Sequence, residues 1–388
     1  MTVDASGPAA DKESTVSDRR IGCITVEKFL SEVTVQEKPV RFKRSQIIGF
    51  TRNGSTRLGA GRFGAVFRGA LPNGLAVAVK VLHRDLDVEE AQFTAAVRTM
   101  WISARRHENV VKLLGFCFQI VMRALVYEYA ENGALDAYLL DDDAGRDVGV
   151  PALLDIAVGV ARGIRHLHEE CEEKVVHYDV KLSNVLLDAA LTPKLADVGL
   201  ARLMNPDTHV TMSNLPDTPG YIAPEARVQA DITEKRDVYS FGMLLLEIVG
   251  RRKIHDEAAP EGQRWFPELA WRKYERGRDH TISIDDDDAQ QWKELVERMC
   301  KVAFWCVQQQ PTARPPMGNV VKMLEGEMDI DPPVNPFQHE LAAPVVAYPR
   351  TMMASSGNVA LPSGVPNGVE VAESVLNVIQ SVMDLGKS

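Results

Sequence analysis

The chain has 388 residues, which at about 150 per domain allows two domains or one large two-lobed one, and its 45% apolar content excludes a disordered or fibrous protein. Lys and Arg total 44 against 54 Asp and Glu, a net charge of −10, which argues against a polyanion binder that coats nucleic acid or membrane, so any phosphate must be held locally. The five cysteines, Cys23, Cys117, Cys171, Cys300 and Cys306, form no CxxC pair and no Cys/His cluster and read as reduced thiols in a cytosolic compartment.

Met1-Thr2-Val3-Asp4 lacks the basic and then apolar layout of a signal peptide, and no window approaches about 18 uninterrupted apolar residues, so no transmembrane segment is expected. Residues 1–44 are polar, with one weak helical patch at 26–33, and read as a flexible arm. Two apolar runs at 65–67 and 76–82 flank Leu71-Pro72-Asn73-Gly74, a turn signal that predicts a β-hairpin. A helical pattern at 88–105 and two further strands at 111–118 and 124–129 complete a small, mainly antiparallel lobe over 45–130.

Past Glu131-Asn132-Gly133 the texture becomes helical. Pro151 opens a helix that sets Leu154, Ala157, Val158, Ala161, Ile164 and Leu167 on one face, and 237–250, 292–308 and 317–324 are further helical segments of a lobe over 131–327. Residues 328–388, rich in Pro, Gly and Ser, read as a largely disordered tail with an amphipathic stretch at 369–383. The fold class expected is α+β.

Three glycines in Gly59-Ala60-Gly61-Arg62-Phe63-Gly64-Ala65-Val66 let a backbone approach phosphate oxygens closely. No helix follows Gly64, as a dinucleotide site requires, and the Gly-Lys-Ser/Thr of a P-loop is absent, so a glycine flap joining two strands over a nucleotide fits better. In Val77-Ala78-Val79-Lys80 a lysine sits inside an apolar strand and shares a face with Ala78 and Leu82, so its ammonium must meet an anion such as a phosphate or shift its pKa. His177-Tyr178-Asp179-Val180-Lys181-Leu182-Ser183-Asn184, then Asp197-Val198-Gly199, then Ala223-Pro224-Glu225, hold what phosphoryl transfer requires: an Asp to orient a hydroxyl, a Lys to neutralise the phosphoryl group, and an Asn with a second Asp for divalent metal.

These motifs resemble those of the eukaryotic protein kinase family over about residues 55–325. Glu37-Lys38-Pro39-Val40-Arg41-Phe42, Ala124-Leu125-Val126-Tyr127-Glu128-Tyr129, His177-Tyr178-Asp179 and residues 237–247 are similar to plant receptor-like Ser/Thr kinases of the leaf-rust-resistance and S-domain lectin type. The resemblance implies a bilobal kinase fold behind a juxtamembrane-like arm, with ATP and Mg²⁺ or Mn²⁺ between the lobes. It implies that Gly59, Gly61, Gly64, Val66, Ala78 and Lys80 hold the nucleotide, with Tyr127 as gatekeeper and the backbone of Glu128, Tyr129 and Ala130 as the adenine hinge. Asp179 would be the catalytic base, Lys181 its partner at the phosphate, and Asn184 and Asp197 the metal ligands. Glu225 would pair with Arg314, and Asp237 would brace the catalytic loop. Partners implied are protein substrates with Ser or Thr acceptors and a membrane receptor or signalling complex, with no nucleic acid. The location implied is cytoplasmic, with recruitment to the plasma membrane by a partner.

Three positions depart from the family pattern. Ala96 stands where the helix should offer a glutamate to Lys80; Gln92 is neutral and Glu89 lies two turns away, which leaves Lys80 to Asp197 or to the phosphates. Val198 replaces the usual Phe, so a column through Met100, Leu113, Val198 and His177 loses a ring. Tyr178 replaces the Arg that grips an activation-segment phosphate, so Thr208, Thr211 and Ser213 are not expected to switch activity, and Thr218 is expected to hydrogen-bond near Asp179. Two readings follow, a Ser/Thr protein kinase and a nucleotide-binding pseudokinase that acts as a scaffold.

Overall fold

The computed structural model describes residues 15–35, 38–83, 89–104, 107–140, 148–200, 218–228, 233–278 and 287–338. Thr208, Thr211, Ser213 and the stretch at 369–383 lie outside the described residues. The chain forms two units. One comprises residues 1–133, 170–177 and 186–215, the other 134–169, 178–185 and 216–388.

The first unit opens with helices α1 (Asp18–Gly22) and α2 (Val26–Val35), strand β1 (Val40–Arg41) and helix α3 (Arg44–Phe50). Strands β2 (Arg57–Gly61), β3 (Gly64–Ala70) and β4 (Ala76–Leu82), helix α4 (Glu90–Ala104), and strands β5 (Leu113–Gln119) and β6 (Met122–Glu128) follow. The sheet order is β1-β5-β6-β4-β3-β2, antiparallel except where β1 runs parallel to β5. The expected hairpin forms at Pro72-Asn73-Gly74, where the Gly74 N–H donates to the Leu71 carbonyl at 2.8 Å and Gly74 takes φ +88°.

Residues 17–35 and 38–44 differ from the flexible arm expected there. Ile21, Phe29, Val33, Val40 and Phe42 are buried with Val77, Val79, Leu114, Ala124 and Val126 on one face of the sheet. The other face carries α4, whose Phe93, Ala96, Val97 and Met100 pack with Leu82, Leu113, Phe116 and Leu125. A sheet covered on both faces explains the apolar run Val77-Ala78-Val79, since a half-solvated strand would alternate. Gly115 permits the close approach of β1, because a Cβ there would lie 2.3 Å from the Val40 carbonyl and 2.5 Å from the Phe42 ring. The arm looked disordered because its few apolar residues are spaced along a polar stretch, and each of the larger ones contributes about 1.5–3 kcal/mol once buried.

The second unit is mainly helical: α5 (Leu135–Leu140), α6 (Val150–Arg165), α7 (Lys235–Gly250), α8 (Phe266–Arg278), α9 (Asp287–Cys306) and α10 (Met317–Glu325). Pro151 sits in the first turn of α6, as its missing N–H favours. Helix α7 is the core of the unit, and its Gly242 lets α9 approach so closely that a Cβ would meet Val307 at 2.6 Å and Cys306 at 2.7 Å. Residues 328–338 differ from the disordered tail expected from 328, and residues 339–388 lie outside the described residues. Trp305, Gln308 and Gln309 of the α9 end region donate to the carbonyls of Asp331, Val334 and Pro336 at 2.8–2.9 Å, and Phe337 is buried. Three side-chain donors to the carbonyls of residues 331, 334 and 336 give this proline-rich stretch the partners that its own backbone cannot supply.

Candidate active site

In the first unit, β2 and β3 meet at the glycine-rich turn. Gly59 and Gly61 have open space where a Cβ would stand, whereas a Cβ on Gly64 would lie 2.0 Å from the Val81 carbonyl, so that position requires glycine. Val66 of β3 faces Lys80 of β4 across the ladder, and Ala78 is paired with Tyr127 of β6. The period-two reading of β4 holds: Lys80 and Leu82 are buried on the α4 side and Val77 and Val79 on the other.

The Lys80 ammonium lies 2.6 Å and 2.5 Å from the two carboxylate oxygens of Asp197 and 5.5 Å from the centroid of the Phe63 ring. Among the described residues Asp197 is its one ionic partner. Ala96 is buried beside Phe93 and Met100, Glu89 is exposed ahead of α4, and Glu90 turns away to Arg41 at 2.5 Å. The lysine therefore meets its anion inside the first unit without help from α4, and Asp197 adopts φ +64°, a left-handed conformation that costs an ordinary residue about 1–3 kcal/mol. His177 Nε2 donates to the Ala196 carbonyl at 2.8 Å and steadies the chain just before this carboxylate.

Tyr127 reaches the Met100 sulfur at 3.9 Å. Burial, and secondarily the Asp197 charge, push its phenol well above its ordinary pKa, so it stays a neutral donor. The Glu128 N–H donates to the Lys112 carbonyl at 3.0 Å while its carboxylate accepts the Lys112 N–H at 2.8 Å, and the Tyr129 ring stacks under the Arg68 guanidinium at 4.9 Å. Glu128 ends β6, paired with Val77 of β4, and Tyr129 follows it.

In the second unit Asp179, Lys181, Asn184 and Thr218 form one network. Asp179 Oδ2 accepts from Asn184 Nδ2 at 2.9 Å and pairs with Lys181 at 2.8 Å, while Oδ1 accepts from the Thr218 hydroxyl at 3.0 Å. Lys181 also donates to Thr218 at 3.2 Å. Asn184 Nδ2 further donates to the Asp179 carbonyl at 2.7 Å, which leaves Asn184 Oδ1 as the atom for a hard cation. A neutral amide oxygen is a hard donor, of the kind that suits Mg²⁺ or Mn²⁺ and does not suit a thiolate-seeking metal.

The loop that carries Asp179 is held from behind. Asp237, fully buried at the start of α7, accepts the Tyr178 N–H at 2.8 Å through Oδ1 and faces His168 Nε2 at 2.8 Å through Oδ2. Tyr178 itself takes φ +70°, so the residue before Asp179 is a second strained position, and a buried carboxylate anchors it. Glu225 and Arg314 pair through two bonds of 2.7 Å. Tyr221, three residues after Thr218, donates its hydroxyl to Glu247 Oε2, and Ile254 donates its N–H to Oε1 at 2.8 Å.

His168, Tyr221 and Glu247 escaped the sequence reading because each looks like an ordinary helix or loop residue. A Glu within the apolar run Leu244-Leu245-Leu246 was the available signal for Glu247. Burial outweighs its two donors and pushes the Glu247 carboxyl up to about 7, so the folded state holds a proton there that the unfolded chain releases near its ordinary 4.5. That contribution to stability is complete below about pH 4.5 and is lost as pH rises through about 7, on the order of 3 kcal/mol between the limits. Denaturation midpoints of Glu247→Gln should accordingly lack this part of the fall between pH 5 and pH 8; an unchanged slope would assign the fall to other groups.

A family model described as protein tyrosine and serine/threonine kinase matches residues 53–324. A G-type lectin S-receptor-like serine/threonine-protein kinase of Arabidopsis thaliana is 42% identical over 77% of this chain and 36% of its own length. Rust resistance kinase Lr10 of Triticum aestivum is 39% identical over 80% of this chain and 49% of its own length. A leaf rust 10 disease-resistance locus receptor-like protein kinase-like protein of Arabidopsis thaliana is 39% identical over 77% of this chain and 47% of its own length. The chain thus spans about a third to a half of the relatives it matches. No described helix is long and apolar enough to cross a membrane.

Proposed function

The chain belongs to the protein tyrosine and serine/threonine kinase family, and from that premise we propose that it transfers the γ-phosphoryl group of ATP to Ser and Thr hydroxyls of proteins in plant signalling or defence. The observation that carries the reading is the retained pairing of Lys80 with both oxygens of Asp197, which supplies the lysine's anchor although α4 offers Ala96 in place of a carboxylate. Magnesium-bound ATP brings the transferable phosphoryl group. Gly59, Gly61 and Gly64 follow the phosphates, Val66 and Ala78 border the base, and the backbone at Glu128 and Tyr129 meets its polar edge behind the gatekeeper Tyr127. Asn184 Oδ1 and the Asp197 carboxylate are the oxygens that would hold the divalent metal, which would neutralise phosphate charge, and Lys80 would meet the phosphates.

Asp179 accepts the proton of the acceptor hydroxyl as the hydroxyl oxygen bonds to the γ-phosphorus and the bond to ADP breaks. Thr218 and Lys181, both on Asp179, orient that carboxylate, and Lys181 neutralises charge on the phosphoryl oxygens. The Lys181 position favours Ser and Thr acceptors over Tyr. The words receptor-like and rust resistance in the relatives' names support a role in receptor signalling or defence, and the place proposed for the chain is beside a membrane receptor or signalling complex in the cytoplasm. The test is the chemical identity of the labelled acceptor after incubation with γ-labelled ATP and Mg²⁺: phosphoserine and phosphothreonine support the reading, and phosphotyrosine alone overturns it.

A second reading, a nucleotide-binding pseudokinase that transmits its signal as a scaffold, is favoured by one observation. Ala96 is buried at the position of the missing carboxylate, so no rotation of a side chain restores the pair.

A further inference from the structure

Lys194 is a buried lysine that the function proposed above does not use. It lies on the short strand Pro193–Leu195, its side chain 10% exposed, and a lysine so placed must have its charge met. Its ammonium is 3.4 Å from Glu128 Oε1, 3.1 Å from the Glu108 carbonyl and 3.9 Å from Asp188 Oδ2. The nearer carboxylate is the distant one in sequence. Asp188 serves its own turn, where Oδ1 accepts the N–H groups of Ala190 and Thr192 at 3.0 and 2.9 Å.

The strand is fixed independently of this lysine. Asn109 Nδ2 donates to the Pro193 carbonyl at 2.9 Å, the Leu195 N–H to the Asn109 carbonyl at 2.9 Å, and the Val111 N–H to the Leu195 carbonyl at 2.9 Å. Lys194 is thus a charge on a rigid mount, hydrogen-bonded to the Glu108 carbonyl, and Glu128 is the nearer of its two carboxylates. Glu128 in turn is clamped at both ends on Lys112, by its N–H and by the same carboxylate oxygen that faces Lys194. Three residues after Lys194 the chain supplies Asp197, so one stretch carries both the carboxylate on Lys80 and the ammonium on Glu128.

We propose that Lys194 is a positioning residue for the nucleotide: through the Glu128 carboxylate it fixes the Glu128 carbonyl and so sets nucleotide affinity without touching the nucleotide. The inference rests on the reading of Glu128 as the adenine-binding backbone. Hydrogen bonds weaken steeply with misalignment, so a carbonyl freed to tilt loses part of its bond to the base while the residues that move the phosphate are undisturbed.

The test uses the full chain and ADP with Mg²⁺ as the titrant, followed by steady-state kinetics with ATP. Lys194→Met, which keeps the stem and removes the charge, should raise the ADP Kd and the ATP KM together by about five- to tenfold, an effect of the size expected for one weakened polar contact. It should leave kcat and the KM for the protein acceptor within about twofold. Glu128→Gln keeps an acceptor for the Lys112 N–H and loses the charge; it should give a similar rise in Kd, and Lys194→Met added to it should change Kd by less than about twofold.

An ADP Kd unchanged in either folded single variant would overturn the inference. So would a fall in kcat at constant Kd, which is the signature of general loosening. If the wild type binds ADP but transfers no phosphate, the kinase reading fails while the Kd comparison still decides this inference. If the wild type binds no ADP, both fall.

Discussion

Lys80→Met should lower phosphoryl transfer by at least about a hundredfold, equivalent to about 2.7 kcal/mol of transition-state stabilisation, while the protein remains folded. The expectation follows from how few groups share the task. Lys80 is buried in β4 and its ammonium has both Asp197 oxygens and the Phe63 ring around it. No α4 carboxylate among the described residues stands by to hold the site in order, so the variant loses the phosphate contact and also the group that orients Asp197. Methionine fills the same volume between Val66 and Leu125, its ladder partners, which protects the sheet. Initial rates with saturating ATP and Mg²⁺, alongside an unfolding curve, check this. A loss under about tenfold in a folded variant would mean that the lysine is not the phosphate contact.

Arg314→Ala should destabilise the second unit by about 3–5 kcal/mol, because it breaks a buried pair and leaves Glu225 without its cation. Arg314 has no exposed side-chain surface, and every guanidinium nitrogen is engaged. Two bonds go to Glu225, and others reach the carbonyls of Gln308 at 2.7 Å, Lys235 at 3.0 Å and Gln309 at 3.1 Å, with Tyr239 stacked at 5.0 Å. Lysine offers a point charge where a planar fork is required, so Arg314→Lys should recover less than half of the loss. Glu225 ends the segment that begins at Thr218, so the pair also holds in place the hydroxyl that contacts Asp179. Urea denaturation of the two variants measures both costs, and a loss below about 1 kcal/mol for Arg314→Ala would show that the segment is fixed by other contacts.

The chemistry was more legible in the sequence than the architecture around it. Lys80 stood out as a charge in an apolar strand that needs an anion, which Asp197 supplies, and the spacing singled out Asp179, Lys181 and Asn184, which meet in one network. Packing restricts only size and polarity. The two helices before residue 40 were therefore read as a loose arm although Phe29 and Val33 lie one helical turn apart on α2. Helix α8 was passed over although Phe266, Leu269 and Tyr274 recur near helical spacing, since Arg, Lys and Glu dilute the pattern. Asp237 was legible as a brace, but its partner His168 was not, because a buried histidine has no signature of its own. Lys194 and Glu128 meet only through the fold, across 66 residues of chain, and no local pattern links them.

Catalysis despite Ala96 is tested most directly by phosphate incorporation from γ-labelled ATP with Mg²⁺ by the wild type and by Asp179→Asn, purified in parallel. Label on protein Ser and Thr in the wild type, reduced by at least about a thousandfold in the variant, is the predicted result. Neither protein incorporating label, while nucleotide still raises the Tm of both, would contradict it and leave the scaffold reading in its place.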